Sequence, residues 1–129
     1  MPTTILVADD DHAVRDLVKR VLEKGLGAPI VQEANDGEEA FHLAWAHLPG
    51  VVVMDITMPR MDGLQATKKI KAEHPETKVI ILTIHQDQAY REAAMASGAD
   101  AFLDKRAILT DLVPTVRDVL GQPHAQEDE

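Results

Sequence analysis

Cysteine is absent from the 129-residue sequence, and basic residues and aromatics are scarce. Without a thiol the chain has no disulfide, no zinc–thiolate site, no iron–sulfur cluster and no cysteine nucleophile. Lysine and arginine number 13 against 22 aspartates and glutamates, which gives a formal net charge of −9. Because phosphate contacts dominate affinity for nucleic acids, a chain this acidic is not expected to contact nucleic acid directly.

Long apolar runs are also missing, and none approaches the roughly 18 residues of a membrane span. The start, Met-Pro-Thr-Thr-Ile-Leu-Val-Ala, lacks the basic region and the small-residue cleavage site of a signal peptide. Apolar residues nevertheless make up 45% of the chain, enough for the core of one domain. We therefore expect one cytoplasmic domain over residues 1–121, without membrane contact, and an acidic, disordered tail over residues 122–129.

Five short apolar runs recur along the chain and predict five strands. The runs are Thr4–Ala8, Ile30–Ala34, Val51–Met54, Lys78–Thr83 and Asp100–Leu103. The first, third and fourth are nearly continuous in isoleucine, valine and leucine and do not alternate with polar residues. Such runs are typical of strands that are buried on both faces of a parallel sheet.

Amphipathic segments separate these runs, and the first two predict helices with recognisable ends. Apolar residues recur at helical spacing from Val14 to Leu22, and Gly25 and Gly27 favour a left-handed cap after them. Asp36, with Glu39 three residues later, resembles a capping box at the start of the second helix.

Three further helices complete the pattern. Two are expected over Leu64–Glu73 and Gln88–Ala96. The last is expected to begin near Thr110, because Pro114 is best tolerated in the first turn of a helix. A strand followed by a helix, five times over, indicates an α/β fold with a parallel sheet and right-handed crossovers.

Polar residues stand where the predicted strands end. They are Asp9, Asp10 and Asp11 after the first strand, Asp55 after the third, Thr83 at the end of the fourth and Lys105 after the fifth. The carboxyl ends of parallel strands share one edge, where ligands bind. Oxygen-only ligands favour Mg²⁺, and a lysine and a threonine suit the oxygens of a phosphoryl group. The chemistry most consistent with this set is phosphoryl transfer onto one carboxylate, which forms an acyl phosphate.

Each of these residues also has an ordinary structural explanation. Asp11 is a common type of helix cap, Asp55 a common turn residue, and Lys105 a typical solvated lysine. Thr83 is by itself an ordinary β-branched strand residue. Their occurrence together, at successive strand ends, favours a functional site.

Four motifs in this order closely resemble the receiver domain of two-component response regulators, over residues 4–121. They are Ile-Leu-Val-Ala-Asp-Asp (5–10), Asp-Ile-Thr-Met-Pro-Arg-Met-Asp-Gly (55–63), Ile-Ile-Leu-Thr (80–83) and Gly-Ala-Asp-Ala-Phe-Leu-Asp-Lys (98–105). The resemblance implies a flavodoxin-like, doubly wound sheet of five parallel strands in the order 2-1-3-4-5, with five helices. It also implies a phosphorylation switch in a two-component phosphorelay rather than an enzyme that turns over a substrate.

The resemblance assigns roles to the acidic residues. Asp55 would be the phosphoacceptor, which takes a phosphoryl group from a sensor histidine kinase or a phosphotransfer protein. Asp10, Asp55 and the backbone carbonyl of Thr57 would bind Mg²⁺, and Asp9 would reach the ion through a water molecule. Asp11 would then be an accessory acid or a helix cap.

The resemblance also assigns the residues that respond to phosphorylation. Lys105 would pair with the phosphoryl oxygens, and Thr83 would turn inward to hydrogen-bond one of them. Phe102 matches an aromatic residue that turns inward as the threonine moves. The fourth helix, fifth strand and fifth helix would then form a face that binds an output partner or a second copy of the chain.

Two residues depart from much of the family. Arg106 stands where a cis proline is common, and Ile84 stands where a small residue is common and would restrict access to the site. Both features, with the string Leu-Thr-Ile-His (82–85), are similar to the NarL-type subgroup, in which a DNA-binding domain usually follows the receiver. Thr57 and His85 are expected to influence the lifetime of the acyl phosphate.

Two other function classes remain as alternatives. A phosphatase of the haloacid-dehalogenase type also uses an aspartyl nucleophile, but it requires an Asp-x-Asp-x-Thr/Val string that Asp9-Asp10-Asp11-His12-Ala13 lacks. A docking module would keep the fold and bind its partner without phosphorylation. Hydrolysis of a phosphomonoester would favour the first alternative, and partner affinity that phosphorylation leaves unchanged would favour the second.

Overall fold

A computed structural model describes residues 2–121, in which strands and helices alternate. The strands are β1 (Thr4–Ala8), β2 (Ile30–Ala34), β3 (Val51–Met54), β4 (Lys78–Thr83) and β5 (Ala101–Asp104). The helices are α1 (His12–Gly25), α2 (Gly37–His47), α3 (Gly63–Glu73), α4 (Gln88–Ala96) and α5 (Ile108–Leu120), with a 3₁₀ turn over Lys105–Ala107 before α5. The predicted tail, residues 122–129, lies outside the described residues.

All neighbouring strands pair in parallel, in the order β2-β1-β3-β4-β5, which confirms the predicted topology. The chain runs from β1 to β2 at one edge of the sheet. It then crosses to β3 on the other side of β1, and β4 and β5 extend the sheet on that side. The reversal leaves the ends of β1 and β3 side by side, with Ala8 paired to Met54. In folds of this kind the crevice at that point is the ordinary place for a ligand.

Helices cover both faces of the sheet, so the central strands are buried on either side. The apolar residues of α1 and α5 pack on one face, and those of α2, α3 and α4 pack on the other. Val52 and Val53, adjacent in β3, lie in different layers because successive side chains of a strand point to opposite faces. This arrangement explains why the predicted strands lacked an alternating pattern. Within residues 2–121, no helix is long and apolar enough to cross a bilayer.

Two predicted boundaries in the last third of the chain were wrong. Strand β5 lies one residue later than expected. Helix α5 begins at Ile108 rather than near Thr110, so Pro114 lies in its second turn instead of its first. The 3₁₀ turn leads directly into the helix, and Ile108 is buried in the core, which places the helix start earlier than the proline alone suggested.

Two helix ends also differ from the sequence interpretation. Helix α1 ends at Gly25, but its cap residue Leu26 has φ −114°, and the positive φ of 78° occurs at Gly27. Asp36 caps α2 as expected, accepting from Glu39 N at 2.8 Å. The carboxylate of Glu39 accepts from Asn35 N rather than completing the box at Asp36.

Gly63, the first residue of α3, lies against the backbone at the end of β3. A Cβ at this position would collide with the carbonyl oxygen of Asp55. The amide of Gly63 donates to the carbonyl of Ile56 at 2.7 Å, which closes the loop between β3 and α3. The missing side chain therefore lets α3 start directly beside the strand end that carries Asp55.

We expect Gly63→Ala to lower the free energy of unfolding by about 1–3 kcal/mol, because the backbone must shift to admit the methyl group. Intrinsic helix propensity predicts the opposite sign, since alanine is the better helix former. Gly50→Ala is the control, because a Cβ there meets only ordinary contacts and should change stability by less than about 0.5 kcal/mol. Urea denaturation measures both, and equal effects of the two substitutions would contradict the packing argument.

Candidate functional site

The end of β1 presents one buried and one exposed carboxylate. Asp9 is 2% exposed, and its Oδ1 accepts from the amide of Asp11 at 2.8 Å. Arg15 donates to the carbonyl oxygen of Asp9 at 2.6 Å and so fixes the backbone there. Asp10 is exposed. Asp11 caps α1 by accepting from Ala13 N at 2.9 Å, in agreement with the structural explanation of that residue.

The end of β3 presents Asp55, which is 8% exposed. Its amide donates to the carbonyl of Ala8 at 2.9 Å, so the strand pairing continues to this residue. Its Oδ1 accepts from the amide of Ile56 at 2.8 Å, and its Oδ2 faces Lys105. Thr57, two residues later, lies on the wall of the same cleft.

Lys105 joins the two buried carboxylates. Its Nζ lies 2.8 Å from Asp9 Oδ2 and 3.1 Å from Asp55 Oδ2. The 3₁₀ turn that carries this lysine is held by Asp104, whose carboxylate accepts from Arg106 N at 2.9 Å and pairs with the Arg106 guanidinium at 2.7 Å. No peptide bond within residues 2–121 is cis, and the contacts between Asp104 and Arg106 hold this turn.

Burial and charge shift the ionisation of the site. Burial, followed by the negative charge of Asp9, raises the pKa of Asp55, although Lys105 opposes the shift. For Lys105, burial is the largest effect and lowers the pKa, but the hydrogen bonds and charges of Asp9 and Asp55 outweigh it and raise the pKa overall. The lysine therefore stays an ammonium, and one positive charge faces two buried carboxylates.

Three carboxylates converge closely enough to share a metal ion. One oxygen from each of Asp9, Asp10 and Asp55 lies within 4.8 Å of the others. The ligand atoms are all oxygens, no imidazole or thiolate belongs to the group, and one member is exposed to solvent. This set suits a hard divalent cation such as Mg²⁺, which keeps several of its own waters and binds to one or two carboxylates.

The predicted switch residues lie behind the carboxylates. Thr83 is fully buried, and its hydroxyl oxygen accepts from the amide of His85 at 3.2 Å. Gln86 donates to the carbonyl of Thr83 at 2.9 Å, a contact that the sequence did not reveal. Phe102 is partly buried, and the guanidinium of Arg91 lies 4.8 Å from its ring centroid. Among residues 2–121, no hydrogen bond joins the Thr83 hydroxyl to Asp9, Asp10 or Asp55 in this conformation.

The rim of the cleft is apolar and aromatic on the side of the loop after β4. Ile84 is 61% exposed and lines the cleft, as expected from its position beside Thr83. The ring of His85 stacks on Tyr90 of α4, with centroids 4.6 Å apart and planes 18° apart. This stack fixes one wall of the cleft to a helix of the proposed output face.

Two ion pairs of arginines escaped sequence reasoning because their partners are distant in the chain. Arg15 pairs through its Nε with Glu33 at 3.0 Å while its terminal nitrogen reaches the carbonyl of Asp9. Arg60, in the loop after β3, pairs with the helix cap Asp36 at 2.8 Å. The only signal available was a basic residue near each acidic motif, which does not name the partner.

Comparison with known proteins agrees with this geometry. The family model of the response regulator receiver domain matches residues 5–117. The chain belongs to this family. It is therefore a receiver domain of two-component response regulators, a regulatory domain, as the four motifs indicated.

The relatives are also of the expected type. The chain is 36% identical to the response regulator UvrY of Escherichia coli O157:H7 over 125 residues, 96% of this chain and 57% of UvrY. The signal receiver domain of the response regulator NarL from Mycobacterium tuberculosis superposes with a TM-score of 0.88 at 33% identity, covering 95% of this chain and 98% of that one. The receiver domain of DrrB, activated by BeF₃, gives a TM-score of 0.81 at 30% identity, with 95% and 100% covered. The chain spans about half the length of the curated relatives it matches.

We expect Asp55→Asn to raise the free energy of unfolding at pH 7 in metal-free buffer. The folded-state pKa of Asp55 is raised, so the folded protein holds the proton more tightly and ionisation destabilises it. The advantage of the variant should be absent below about pH 3.9, the unfolded pKa, grow as pH rises toward the folded pKa, and stay constant above it. Lys105 keeps Asp9 as its partner in the variant.

Denaturant unfolding at several pH values measures this difference. Asp87→Asn is the control, since it removes the same charge from an exposed residue whose side chain makes no cap hydrogen bond. An Asp55→Asn variant less stable than the wild type at pH 7 would mean that the ionised carboxylate stabilises the fold.

Proposed function

We propose that this receiver domain is a Mg²⁺-dependent phosphoacceptor that takes a phosphoryl group onto Asp55. The donor would be the phosphohistidine of a sensor histidine kinase or a phosphotransfer protein in the cytoplasm. The observation that carries the proposal is the buried Asp55 carboxylate, held between the ammonium of Lys105 and the acidic pair Asp9 and Asp10. Its raised pKa, and its position beside two further carboxylates that could share a metal ion, are typical of a functional carboxylate.

In the transfer step an oxygen of Asp55 attacks phosphorus while the phosphorus–nitrogen bond of the phosphohistidine breaks. The bonding electron pair returns to the imidazole nitrogen, which is protonated from solvent, and Asp55 becomes an acyl phosphate. Lys105 lies 3.1 Å from the acceptor carboxylate and would pair with a phosphoryl oxygen as that charge arrives. Bound Mg²⁺ would supply positive charge that neutralises the phosphoryl oxygens.

The burial of the three carboxylates supports the assignment of metal ligands. Asp9 is 2% exposed, less than Asp55 at 8%, which favours contact with the ion through a water molecule. Asp10 is exposed and Asp55 borders the same cleft, so these two carboxylates would ligate directly. The backbone carbonyl of Thr57, on the cleft wall, would be the third protein ligand.

Phosphorylation would act on the output face through Thr83 and Phe102. The hydroxyl of Thr83 would exchange its contact with His85 N for a phosphoryl oxygen, and the ring of Phe102 would move inward from beneath Arg91. The face formed by α4, β5 and α5 would then bind an output partner or a second copy of the chain. The net charge of −9 argues against direct contact of this chain with nucleic acid.

The direct test is intact mass after incubation with acetyl phosphate, with and without Mg²⁺. We expect the wild type to gain one phosphoryl group only when Mg²⁺ is present, and Asp55→Asn to gain none. Asp87→Asn, which removes an exposed acid at the start of α4, should behave like the wild type.

Failure of the wild type to gain mass has two readings, and beryllofluoride separates them. A stable complex of the protein with Mg²⁺ and beryllofluoride would indicate an acyl phosphate lost faster than the assay detects. No complex and no mass gain would contradict the phosphoacceptor and favour a docking module.

The switch is tested by Thr83→Ala. In NMR spectra of the wild type, we expect beryllofluoride with Mg²⁺ to shift the backbone amide signals of β5 and α5. The same signals should shift much less in the variant, because it lacks the hydroxyl that would turn toward the phosphoryl group. Thr110→Ala, which alters an exposed hydroxyl on α5, is the control. Equal shifts in Thr83→Ala and the wild type would exclude Thr83 as the transmitting group.

A further inference from the structure

The loop between β3 and α3 is tied to the start of α2 by an ion pair. Both Nε and Nη2 of Arg60 donate to the same oxygen of Asp36, at 3.0 Å and 2.8 Å. The other oxygen of Asp36 accepts from Glu39 N, so one carboxylate caps the helix and holds the loop. The side chain of Asp36 is 7% exposed and that of Arg60 is 61% exposed. A largely exposed arginine thus pairs with a buried acid.

The backbone at Arg60 adopts a conformation that needs support from its surroundings. Arg60 has φ 67°, in the left-handed region that residues with a side chain rarely adopt. Such a conformation persists only where the surroundings impose it, and it is concentrated at functional sites. A second contact lies beside it, because a Cβ on Gly37 would collide with the carbonyl oxygen of Met61.

The same short loop carries part of the proposed site. It begins at Asp55, passes Thr57 on the cleft wall, and closes where Gly63 N donates to Ile56 O at 2.7 Å. Only two residues separate Thr57 from Arg60. A shift of the loop tip therefore moves the backbone of Thr57, which the proposed function makes a metal ligand.

We propose that Arg60 and Asp36 are a positioning pair, which holds the loop so that Thr57 and Asp55 are preorganised for the metal ion and the phosphoryl group. This inference rests on the proposed function. Neither residue lines the carboxylate cleft, so the pair acts through the loop and not by contact with the ligand. Residues that orient the ligands of a metal ion, without binding the ion themselves, typically change the affinity for the metal by 10–100-fold when altered.

For Arg60, charge alone predicts the opposite effect on the affinity for Mg²⁺. Loss of the Arg60 cation makes the surroundings more negative, which favours binding of a divalent cation. Loss of the positioning contact weakens binding. Arg60→Gly separates the two explanations, because glycine adopts the positive φ without strain and so lets the loop keep its folded conformation.

The experiment is a titration of the full chain with Mg²⁺ at fixed beryllofluoride, followed by ¹⁹F NMR, together with urea unfolding of each metal-free variant. We expect Arg60→Gly to raise the apparent Kd for Mg²⁺ about tenfold while the urea midpoint does not fall. Arg20→Ala, which removes an exposed cation from α1, should leave the Kd unchanged.

Asp36→Asn completes the test, since its remaining carbonyl oxygen can still cap α2 at Glu39 N. We expect it to weaken Mg²⁺ binding as Arg60→Gly does, and the double variant to be no weaker than either single one, because both remove the same contact. Arg60→Lys, which keeps one donor, should restore part of the affinity.

Three outcomes would overturn the inference. They are an Arg60→Gly variant that binds Mg²⁺ as tightly as the wild type or more tightly, strictly additive losses in the double variant, and a loss of affinity matched by a loss of stability. A wild type that binds beryllofluoride normally in these cases would leave the proposed function intact. A wild type that binds none would overturn the proposed function and the positioning role together.

Discussion

The contact of the Lys105 ammonium with Asp9 and Asp55 is the interaction on which the rest of the site depends. The strand pairing places two carboxylates side by side at the edge of the sheet, where each would otherwise destabilise the other. Lys105 directly follows the edge strand β5, and its ammonium compensates the negative charge of one carboxylate. The Asp104–Arg106 pair holds the turn that carries Lys105.

One ammonium among three acidic side chains leaves the cluster with excess negative charge. Burial, followed by the negative charge of Asp9, raises the pKa of Asp55, and the excess charge favours binding of a divalent cation. The stability of the metal-free fold and the proposed phosphoacceptor role are thus opposed, as is common where a site binds a charged ligand. The buried sheet supplies the rigidity that keeps the carboxylates close despite their repulsion.

The sheet is rigid, but the loops that leave it carry the parts of the site expected to move. The loop after β3 is anchored to α2 by Arg60, while the loop after β4 is held through His85 and Gln86. The stack of His85 on Tyr90 connects the cleft wall to α4, a helix of the proposed output face. A charge added at Asp55 would meet two loops with different restraints, one tied to α2 and one tied to α4 of the proposed output face.

The sequence by itself determined the strands, their burial and the residue types at their ends. Apolar runs and helical spacing are local properties, so four strands matched their predicted bounds and β5 moved by one residue. The tertiary structure decided what lies far apart in the chain. The contact between Lys105 and Asp55, the pairing of Arg60 with Asp36 and the early start of α5 depend on how separate elements pack. A local pattern states that a side chain is buried or charged, but only the folded chain brings its partner within hydrogen-bond distance.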